Sequence, residues 1–428
     1  MFTPTKNVKR RFQFILSMVI GLVFGAFMVL FLLHFEHFKI THIAMSHDIA
    51  ISPLLPKQAH AKLQTLPSKP VKNLIMFLGD GMGINQIDLA RIEYYGASGR
   101  LHMERMPFTA LLRTHSANHL ITDSAAAATA YAIGVKTANK MIAMTPDLLA
   151  RRTIMEAARD RGMATGLITT TRLSDATPAA FAAHVAHRSE QSEIALQMAA
   201  SRINVLVGDL AYFFPQSDPR SLRQDDIDVI DIARRNGYVF VETEAEWSKA
   251  TASHVLANFS NNPLDGEHGE PQVDTLSLAQ LTRKAIELLE QDNDGFFLLV
   301  EEEGIDTGGH RNEYRYMLEH LKNLDDAVGV GLQYALRKSN TLVLVLSDHE
   351  TGGLTFSKEK RVDNDYVAEW STAGHTGQSV PLFAFGPHSE RFSGAMDNTD
   401  VPLMLAHLLH LTGVAAPLNA KTTSQGSR

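Results

Sequence analysis

Short apolar runs recur along the chain from residue 71 onward, and a polar or glycine-containing cluster follows each of them. The runs cover residues 74–78, 166–171, 203–207, 296–300, 342–346 and 380–385. Stretches with the apolar spacing of helices lie between them, at residues 152–161, 190–200, 277–290 and 316–337. Continuous apolar strands that alternate with helices are typical of a parallel sheet covered on both faces. The pattern therefore predicts an α/β fold, a three-layer α/β/α sandwich with a largely parallel central sheet.

A longer apolar run precedes this region, because residues 12–35 contain no Lys, Arg, Asp or Glu. A helix needs about 20 apolar residues to cross a bilayer. Lys6, Lys9, Arg10 and Arg11 precede the run, and the positive-inside bias then places the N-terminus in the cytoplasm. We expect an uncleaved single-pass anchor with the rest of the chain outside the cytoplasm, in the periplasm if the source is bacterial. The alternative is secretion after cleavage of a signal peptide, whose apolar core is usually about 7–15 residues long.

These patterns divide the chain into five segments. They are a basic cytoplasmic N-terminus at residues 1–11, a transmembrane signal anchor at 12–35, a proline-containing linker at 36–70, a folded domain at 71–416 and a flexible tail at 417–428. Within the folded domain, residues 209–269 contain no motif that we can assign. We interpret them as a peripheral insertion.

Composition and charge narrow the class of protein. Hydrophobic residues make up 45% and charged residues 20% of the chain, which excludes general disorder and a multi-span membrane protein. The formal net charge of −7 argues against nucleic acid as a specific partner, because binding to a phosphate backbone requires a basic surface. The chain has no cysteine, which excludes disulfides, thiolate metal ligands and thiol nucleophiles.

Acidic residues and a histidine follow several of the predicted strands. In such sheets, functional residues collect beyond the carboxyl ends of the strands, where Asp80, Glu301, Asp306, Asp348 and His349 are found. A single acidic residue at such a position is ordinarily a helix cap or a turn residue. Several carboxylates at one edge repel one another unless a cation or a shared proton compensates their charge. Because the candidate ligands are oxygen and imidazole nitrogen, the cluster predicts a zinc or magnesium site.

One serine precedes an alanine-rich helical run. Ser124 follows Asp123 and stands directly before four consecutive alanines. A helix N-terminus stabilises negative charge and binds phosphate through its free backbone N–H groups. Ser124 is therefore a candidate nucleophile, with the cluster of acidic residues and histidine as its activator. The alternative is a structural role, in which Ser124 or Asp123 caps the helix.

Seven motifs in this order resemble those of the alkaline phosphatase family, from about residue 73 to residue 410. They are Gly79-Asp80-Gly81-Met82-Gly83, Thr122-Asp123-Ser124-Ala125-Ala126, Gly134-Val135-Lys136-Thr137, Asp175-Ala176-Thr177-Pro178-Ala179-Ala180 with Arg188 beyond it, Glu301 with Asp306 and His310, Ser347-Asp348-His349-Glu350-Thr351-Gly352-Gly353, and Gly374-His375-Thr376-Gly377. Each motif alone is a weak signal. Their order and spacing together make the resemblance specific.

The resemblance implies two zinc ions and one magnesium ion around Ser124. The first zinc would be bound by His375, Asp306 and His310. The second zinc would be bound by Asp80, Asp348 and His349. The magnesium would be bound by Asp80, Glu301 and Thr177, with Asp175 acting through a water molecule. Arg188 is similar to the arginine that binds the phosphate group in this family, and Asp123 would orient it.

The implied activity is that of an alkaline phosphatase, which hydrolyses phosphate monoesters through a phosphoserine, here on Ser124. The implied partners are small phosphomonoesters and a second copy of the chain in a homodimer. The alternatives are a phosphodiesterase or phosphotransferase of the same superfamily, and a non-catalytic binder of phosphate or metal. Arg188 argues against diesters, because a guanidinium fork matches a terminal phosphate with two charged oxygens.

The sequence departs from better-known family patterns beside the predicted magnesium site. Thr307 stands where some relatives carry Lys or His, and Glu302 and Glu303 stand where small residues are commoner. Either the two glutamates are solvated, or their charge faces the site and opposes phosphate binding. The residues between Asp306 and His310 include Gly308 and Gly309, which favour a loop or a first helical turn over a regular helix.

Overall fold

A ten-stranded sheet forms the centre of the molecule, which a computed structural model describes over residues 43–44, 63–66, 69–259, 276–357 and 367–418. In spatial order its strands are β15 (Gly394–Asp397), β3 (Phe108–Arg113), β14 (Val380–Phe385), β9 (Thr341–Leu346), β2 (Asn73–Gly79), β8 (Phe296–Glu302), β4 (Ala164–Arg172), β5 (Val205–Asp209), β7 (Val255–Asn258) and β6 (Val239–Val241). β14 is antiparallel to both of its neighbours, and the other pairings are parallel. The prediction of a largely parallel sheet is confirmed.

Both faces of the sheet are buried. Along β2, Leu74, Met76 and Leu78 belong to one apolar core, while Ile75 and Phe77 belong to the core on the opposite face. This alternation follows from the two-residue period of a strand. Because every β2 position is buried, the strand reads as the continuous apolar run seen in the sequence.

Helices cover the two faces. The first core is closed by Ser124–Ile133, Ile154–Asp160, Ala176–Ala182, Gln191–Ala200, Val229–Arg235 and Asp400–Leu408. The second core is closed by Ile84–Tyr95, Glu244–Lys249, Leu278–Leu289, Gly304–Arg311 and Tyr314–Arg337. The three-layer α/β/α arrangement thus matches the prediction for the described part of the chain.

Two small sheets lie beside the large one. The first joins β1 (Ile43–Ala44), β12 (Val367–Trp370) and β11 (Leu354–Ser357), all antiparallel. The second pairs β10 (Glu350–Thr351) with β13 (His375–Thr376). In this pairing Thr351 lies opposite His375, which brings the segment before β14 to the loop after β9.

The segment 209–269, interpreted from sequence as a peripheral insertion, adds two strands to the edge of the main sheet, because its described part, residues 209–259, contains β7 and β6. The sequence did not predict these strands, because their apolar runs are short and no motif lies beside them. β6 has only three residues. The beginning of the predicted tail is held to the domain, because Pro417 forms a β-bridge with Arg151 and Leu418 N donates to Ala150 O at 3.0 Å.

The predicted anchor at residues 12–35 lies outside the described residues. Among the helices that the structure describes, none combines the length and the apolar character needed to cross a membrane. The anchor therefore stays a prediction.

Candidate active site

The acidic cluster lies where four neighbouring central strands end. Asp80 directly follows β2, Glu301 lies near the end of β8, and Asp348 follows β9. Asp175 follows β4 by three residues. Because β9, β2, β8 and β4 are adjacent and parallel, their carboxyl ends bring these four side chains to one edge of the sheet.

Gly81 allows the turn after β2 to pass close to the rest of the site. Its φ of +70° lies in the left-handed region, and a Cβ there would stand 2.7 Å from Asp306 Cα. Only glycine fits a backbone that is both left-handed and this close to another chain segment. The turn is fixed to the loop after β9, since Gly81 N donates to Asp348 Oδ1 at 3.1 Å and Met82 N donates to Ser347 Oγ at 3.0 Å.

His349 stands at the centre of the carboxylates. Its Nε2 lies 3.4 Å from Asp80 Oδ1 and 3.2 Å from Asp348 Oδ2. The same nitrogen lies 3.2 Å from Ser124 Oγ. Asp80, Asp348 and His349 form one compact group whose ligand atoms could bind a single metal ion.

A second compact group, whose ligand atoms could bind one metal ion, consists of Asp306, His375 and again His349. His310, the ligand that the resemblance assigns beside Asp306 and His375, lies next to both. His310 Nε2 lies 3.2 Å from Asp306 Oδ2 and 3.2 Å from His375 Nε2. The Nδ1 atoms of both rings face backbone carbonyls, His310 that of Ala373 at 2.7 Å and His375 that of Thr122 at 2.9 Å. A ring whose Nδ1–H donates to a carbonyl presents the Nε2 lone pair to a metal.

The segment carrying Asp306 and His310 is a helix, Gly304–Arg311. Of the two expectations, a loop or a first helical turn, the loop is wrong, and Asp306 lies in the first turn of the helix. Close packing against neighbouring elements requires its two internal glycines. A Cβ on Gly308 would stand 2.6 Å from Met317 Cβ, and one on Gly309 would stand 2.9 Å from Thr351 Cβ. The helix places Asp306 and His310 on one face, as a separation of four residues requires.

Ser124 is the first residue of the helix Ser124–Ile133, and Asp123 is its N-cap. Asp123 Oδ1 accepts a hydrogen bond from Ala126 N at 3.0 Å. The capping role therefore belongs to Asp123, which leaves the Ser124 hydroxyl directed at His349. The positive end of the helix favours negative charge on Ser124 Oγ.

Arg188 reaches the site from the segment beyond the helix Ala176–Ala182. Its Nη2 donates to Asp175 Oδ1 at 2.7 Å, and its Nη1 lies 3.8 Å from Asp123 Oδ2. Asp175 is thus the nearer of the two carboxylates, whereas the resemblance assigned the orienting role to Asp123. The charge of Asp175 and its hydrogen bond outweigh burial and raise the pKa of Arg188.

These residues enclose a cavity of about 120 Å³. Its lining comprises Asp80, Ser124, Thr171, Asp175, Ala176, Thr177, Arg188, Glu301, Glu303, Asp306, His310 and His375. Asp348 and His349 lie directly beside it, through their contacts with Asp80 and Ser124. The structure thus brings together all twelve residues that the sequence selected.

Burial of like charges dominates the electrostatics. Burial and the charge of Asp348 raise the pKa of Asp80 well above its ordinary value. Burial and Asp306 raise the pKa of Asp348 to about 7, and burial raises that of Glu301 to about 8. Burial also opposes ionisation of Asp306, but the hydrogen bond from His310 and the charges of the neighbouring histidines together outweigh it and lower the Asp306 pKa. Burial and the His375 charge lower the pKa of His349 well below its usual range.

The donor set fits divalent metal ions. Asp80 Oδ1, Asp348 Oδ2 and Thr177 Oγ1 are buried and have no hydrogen-bond partner. Oxygen and imidazole ligands without thiolate suit zinc and magnesium. Cations bound at these positions would satisfy the three unpaired oxygens and reduce the repulsion between the carboxylates.

The two glutamates after Glu301 behave differently from each other. Glu302 points to the opposite side of β8, where it is fully buried and accepts hydrogen bonds from Thr170 Oγ1, Asn323 Nδ2 and Gly304 N. Glu303 is half-buried and lines the cavity. Neither is simply solvated. The two-residue period of β8 puts Glu302 on the face opposite Glu301, whereas Glu303 lies beyond the strand, where that period gives no direction.

The model of the family described as alkaline phosphatase matches residues 71–365 and 357–411. The alkaline phosphatase of Escherichia coli is 31% identical over 80% of this chain and 87% of its own. Alkaline phosphatase 3 of Bacillus subtilis is 27% identical over 85% of this chain and 95% of its own.

Solved structures agree with the sequence matches. The alkaline phosphatase of the Antarctic bacterium TAB5 is 32% identical, with a TM-score of 0.71 over 80% of this chain and 99% of its own. A variant of that enzyme, with a TM-score of 0.70 over the same shares, has Mg bound in its M3 site. The chain belongs to the alkaline phosphatase family. The predicted family and enzyme class are confirmed, and the roles of individual residues stay predictions.

Proposed function

We propose that the chain hydrolyses phosphate monoesters by transferring the phosphoryl group to Ser124 and then to water. In the first step the Ser124 Oγ–P bond forms, the P–O bond to the alcohol breaks, and the alcohol leaves with a proton that balances the one lost from Ser124 Oγ. In the second step water attacks phosphorus, the Oγ–P bond breaks, and one proton of the water returns to Ser124 Oγ as inorganic phosphate is released. The observation that carries this proposal is the hydroxyl of Ser124 at a helix N-terminus, 3.2 Å from a histidine nitrogen inside the carboxylate group.

Ser124 and Arg188 have different roles in the proposed reaction, and the position of each in the cavity determines its role. Ser124 Oγ must lose its proton before it attacks, and the helix N-terminus lowers the free-energy cost of the resulting charge. Arg188 presents its guanidinium to the same cavity and is held there by Asp175, so that the fork can bind two phosphate oxygens. Ala126 N donates to Asp123 Oδ1, so Asp123 fixes the first turn of the helix that carries Ser124.

We propose two zinc ions and one magnesium ion as cofactors. His375, Asp306 and His310 would hold the first zinc, and Asp80, Asp348 and His349 the second. Asp80, Glu301 and Thr177 would hold the magnesium, with Asp175 beside it. When bound, these ions supply the positive charge that stabilises the attacking and leaving oxygens of an in-line displacement. The unpaired oxygens of Asp80, Asp348 and Thr177 support this assignment.

The test is turnover of an aryl phosphate monoester across pH, before and after chelation. We expect turnover that is lost on chelation, returns only when zinc and magnesium are both added, and greatly exceeds turnover of the matching diester. A preference for the diester would contradict the role of Arg188 and favour the phosphodiesterase alternative. Metal binding by folded protein without turnover would favour a non-catalytic binder.

We further propose that residues 12–35 anchor the chain in a membrane with the catalytic region outside the cytoplasm. The uncharged run and the basic residues before it support this proposal. Expressed in bacteria, the full chain should sediment with membranes and be digested by protease added to spheroplasts. Activity recovered in the soluble periplasmic fraction, from a chain shortened at its N-terminus, would support cleavage instead. The homodimer implied by the resemblance stays a prediction.

A further inference from the structure

Glu303 is a carboxylate in the cavity to which the proposed mechanism assigns no role. It follows β8 and lines the cavity together with Asp80, Asp175 and Glu301. Its charge contributes to raising the pKa of both Asp80 and Glu301, which places the three carboxyl groups within electrostatic reach of one another. Glu303 thus belongs to the electrostatics of the site.

The side chain of Glu303 does not serve as a helix cap. Glu303 is the N-cap residue of the helix Gly304–Arg311, yet its side chain makes no capping hydrogen bond. Instead Glu303 Oε1 accepts a hydrogen bond from Thr307 Oγ1 at 2.7 Å, one helical turn later. Its backbone N donates to Thr170 Oγ1 at 3.2 Å. Two contacts therefore fix the strand-to-helix junction and the direction of the carboxylate.

The cavity holds more carboxyl groups than cationic side chains. Five carboxyl groups line it, from Asp80, Asp175, Glu301, Glu303 and Asp306. Against them stand Arg188, which Asp175 engages, and His310, whose pKa the hydrogen bond with Asp306 raises to about 9. An independent observation points to a bound group. Thr177 lines the same cavity and is 1% exposed, and its hydroxyl makes no hydrogen bond of good geometry, although it is near enough to Glu301 to oppose the rise in the pKa of that carboxyl. A cation with oxygen ligands would satisfy both the hydroxyl and the excess charge.

We propose that Glu303 is a further oxygen ligand of the magnesium site, with Thr307 as its positioning residue. This inference rests on the third cation site of the proposed function and adds a ligand to it. An additional carboxylate strengthens binding of a hard cation by its charge and completes a set made only of oxygens. The site should therefore bind magnesium more tightly than Glu301, Asp80 and Thr177 would alone.

The test measures magnesium binding without substrate. The full chain is chelated, reloaded with two equivalents of zinc, and titrated with Mg²⁺ in a calorimeter. We expect Glu303→Gln to weaken Mg²⁺ binding at least about tenfold while the zinc content stays that of the wild type. Thr307→Val should weaken it less, because the carboxylate remains but loses its hydrogen bond. Glu319→Gln, an exposed residue outside the cavity lining, is the matched control and should bind as the wild type does.

Equal Mg²⁺ affinity in the wild type, Glu303→Gln and Thr307→Val would overturn the inference. If Glu303→Gln does not fold, the Thr307→Val titration decides alone, because that variant keeps every carboxylate. Failure of the proposed function is a separate result. An inactive wild type whose Mg²⁺ affinity still depends on Glu303 would reject the hydrolysis proposal and keep this one. An active wild type with unchanged affinity in the variants would do the reverse.

Discussion

Replacing Ser124 by alanine should lower monoester turnover at least about 10³-fold while the metal content and the fold stay unchanged. The expected loss is large because Ser124 Oγ is the only proposed nucleophile, and alanine leaves the rest of the cavity in place. The hydroxyl is not the N-cap, since Asp123 has that role, so its removal should not unfold the helix Ser124–Ile133. Steady-state kinetics, bound-metal analysis and thermal unfolding of the two proteins would measure these effects.

Two controls make the result specific. Ser201→Ala removes a buried serine hydroxyl that donates to Met198 O and lies outside the cavity lining, so its turnover should equal that of the wild type. Acid quenching during wild-type turnover should trap a phosphoryl group on the peptide that contains Ser124. Substantial turnover by Ser124→Ala, or a trapped group at another residue, would reject the phosphoserine route.

The helix carrying Asp306 shows where sequence reasoning reaches its limit. Gly308 and Gly309 lower the helix propensity of this segment, and propensity alone favoured a loop or a first helical turn over a regular helix. The reason for those glycines is tertiary, because a Cβ on either one would collide with Met317 or Thr351, which are distant in sequence or on another element. A local scale contains no information on such approaches. The spacing of Asp306 and His310 carried the correct signal.

Some strands of the main sheet can also be predicted from the sequence, and others cannot. Its central strands are predictable because both faces are buried, so that β2 and β9 read as continuous apolar runs. Such a run does not reveal its direction, and the antiparallel setting of β14 follows from the pairing of His375 with Thr351 just before it. The edge strands β7 and β6 are short, and their apolar signal is correspondingly weak.

The twelve candidate site residues were found through motifs. The order and spacing of motifs can be read from the sequence, whereas the packing of side chains cannot. Glu303 was not among these candidates, because its role depends on the direction in which its side chain points at the junction between β8 and the helix Gly304–Arg311. The period of two in β8 separates Glu302 from its neighbours, but Glu303 lies beyond the strand, where that period ends. The hydrogen bond from Thr307 to Glu303 fixes the direction of the Glu303 side chain, and only the structure shows it.

Replacing Asp348 by asparagine should lower turnover at least about 10²-fold and yet stabilise the chelated protein. Turnover falls because a neutral amide is a poor substitute for a carboxylate ligand. Without metal, Asp348 Oδ2 is a buried acceptor with no hydrogen-bond partner, 3.2 Å from His349 Nε2 and close to Asp80. The amide nitrogen would replace this acceptor by a donor, which should stabilise the fold by about 1–3 kcal/mol. Oδ1 would keep its hydrogen bonds from Gly81 N and His349 N.

The gain in stability should depend on pH in a defined direction. Burial and Asp306 raise the pKa of Asp348 from 3.8 to about 7, so ionisation of this group destabilises the folded state. Well below pH 3.8 the Asp348 carboxyl is protonated in both the folded and the unfolded state, so the variant gains no stability there from losing the charge. The gain should grow as pH rises from 4 to 7 and stay constant above pH 7. Thermal unfolding of chelated wild type and variant at pH 4, 6 and 8 would measure it, with the exposed Asp294→Asn as control. If Asp348→Asn were less stable than the wild type at pH 8, the neighbouring carboxylates would not repel Asp348. The argument that Asp348 is a metal ligand would then lose its electrostatic support.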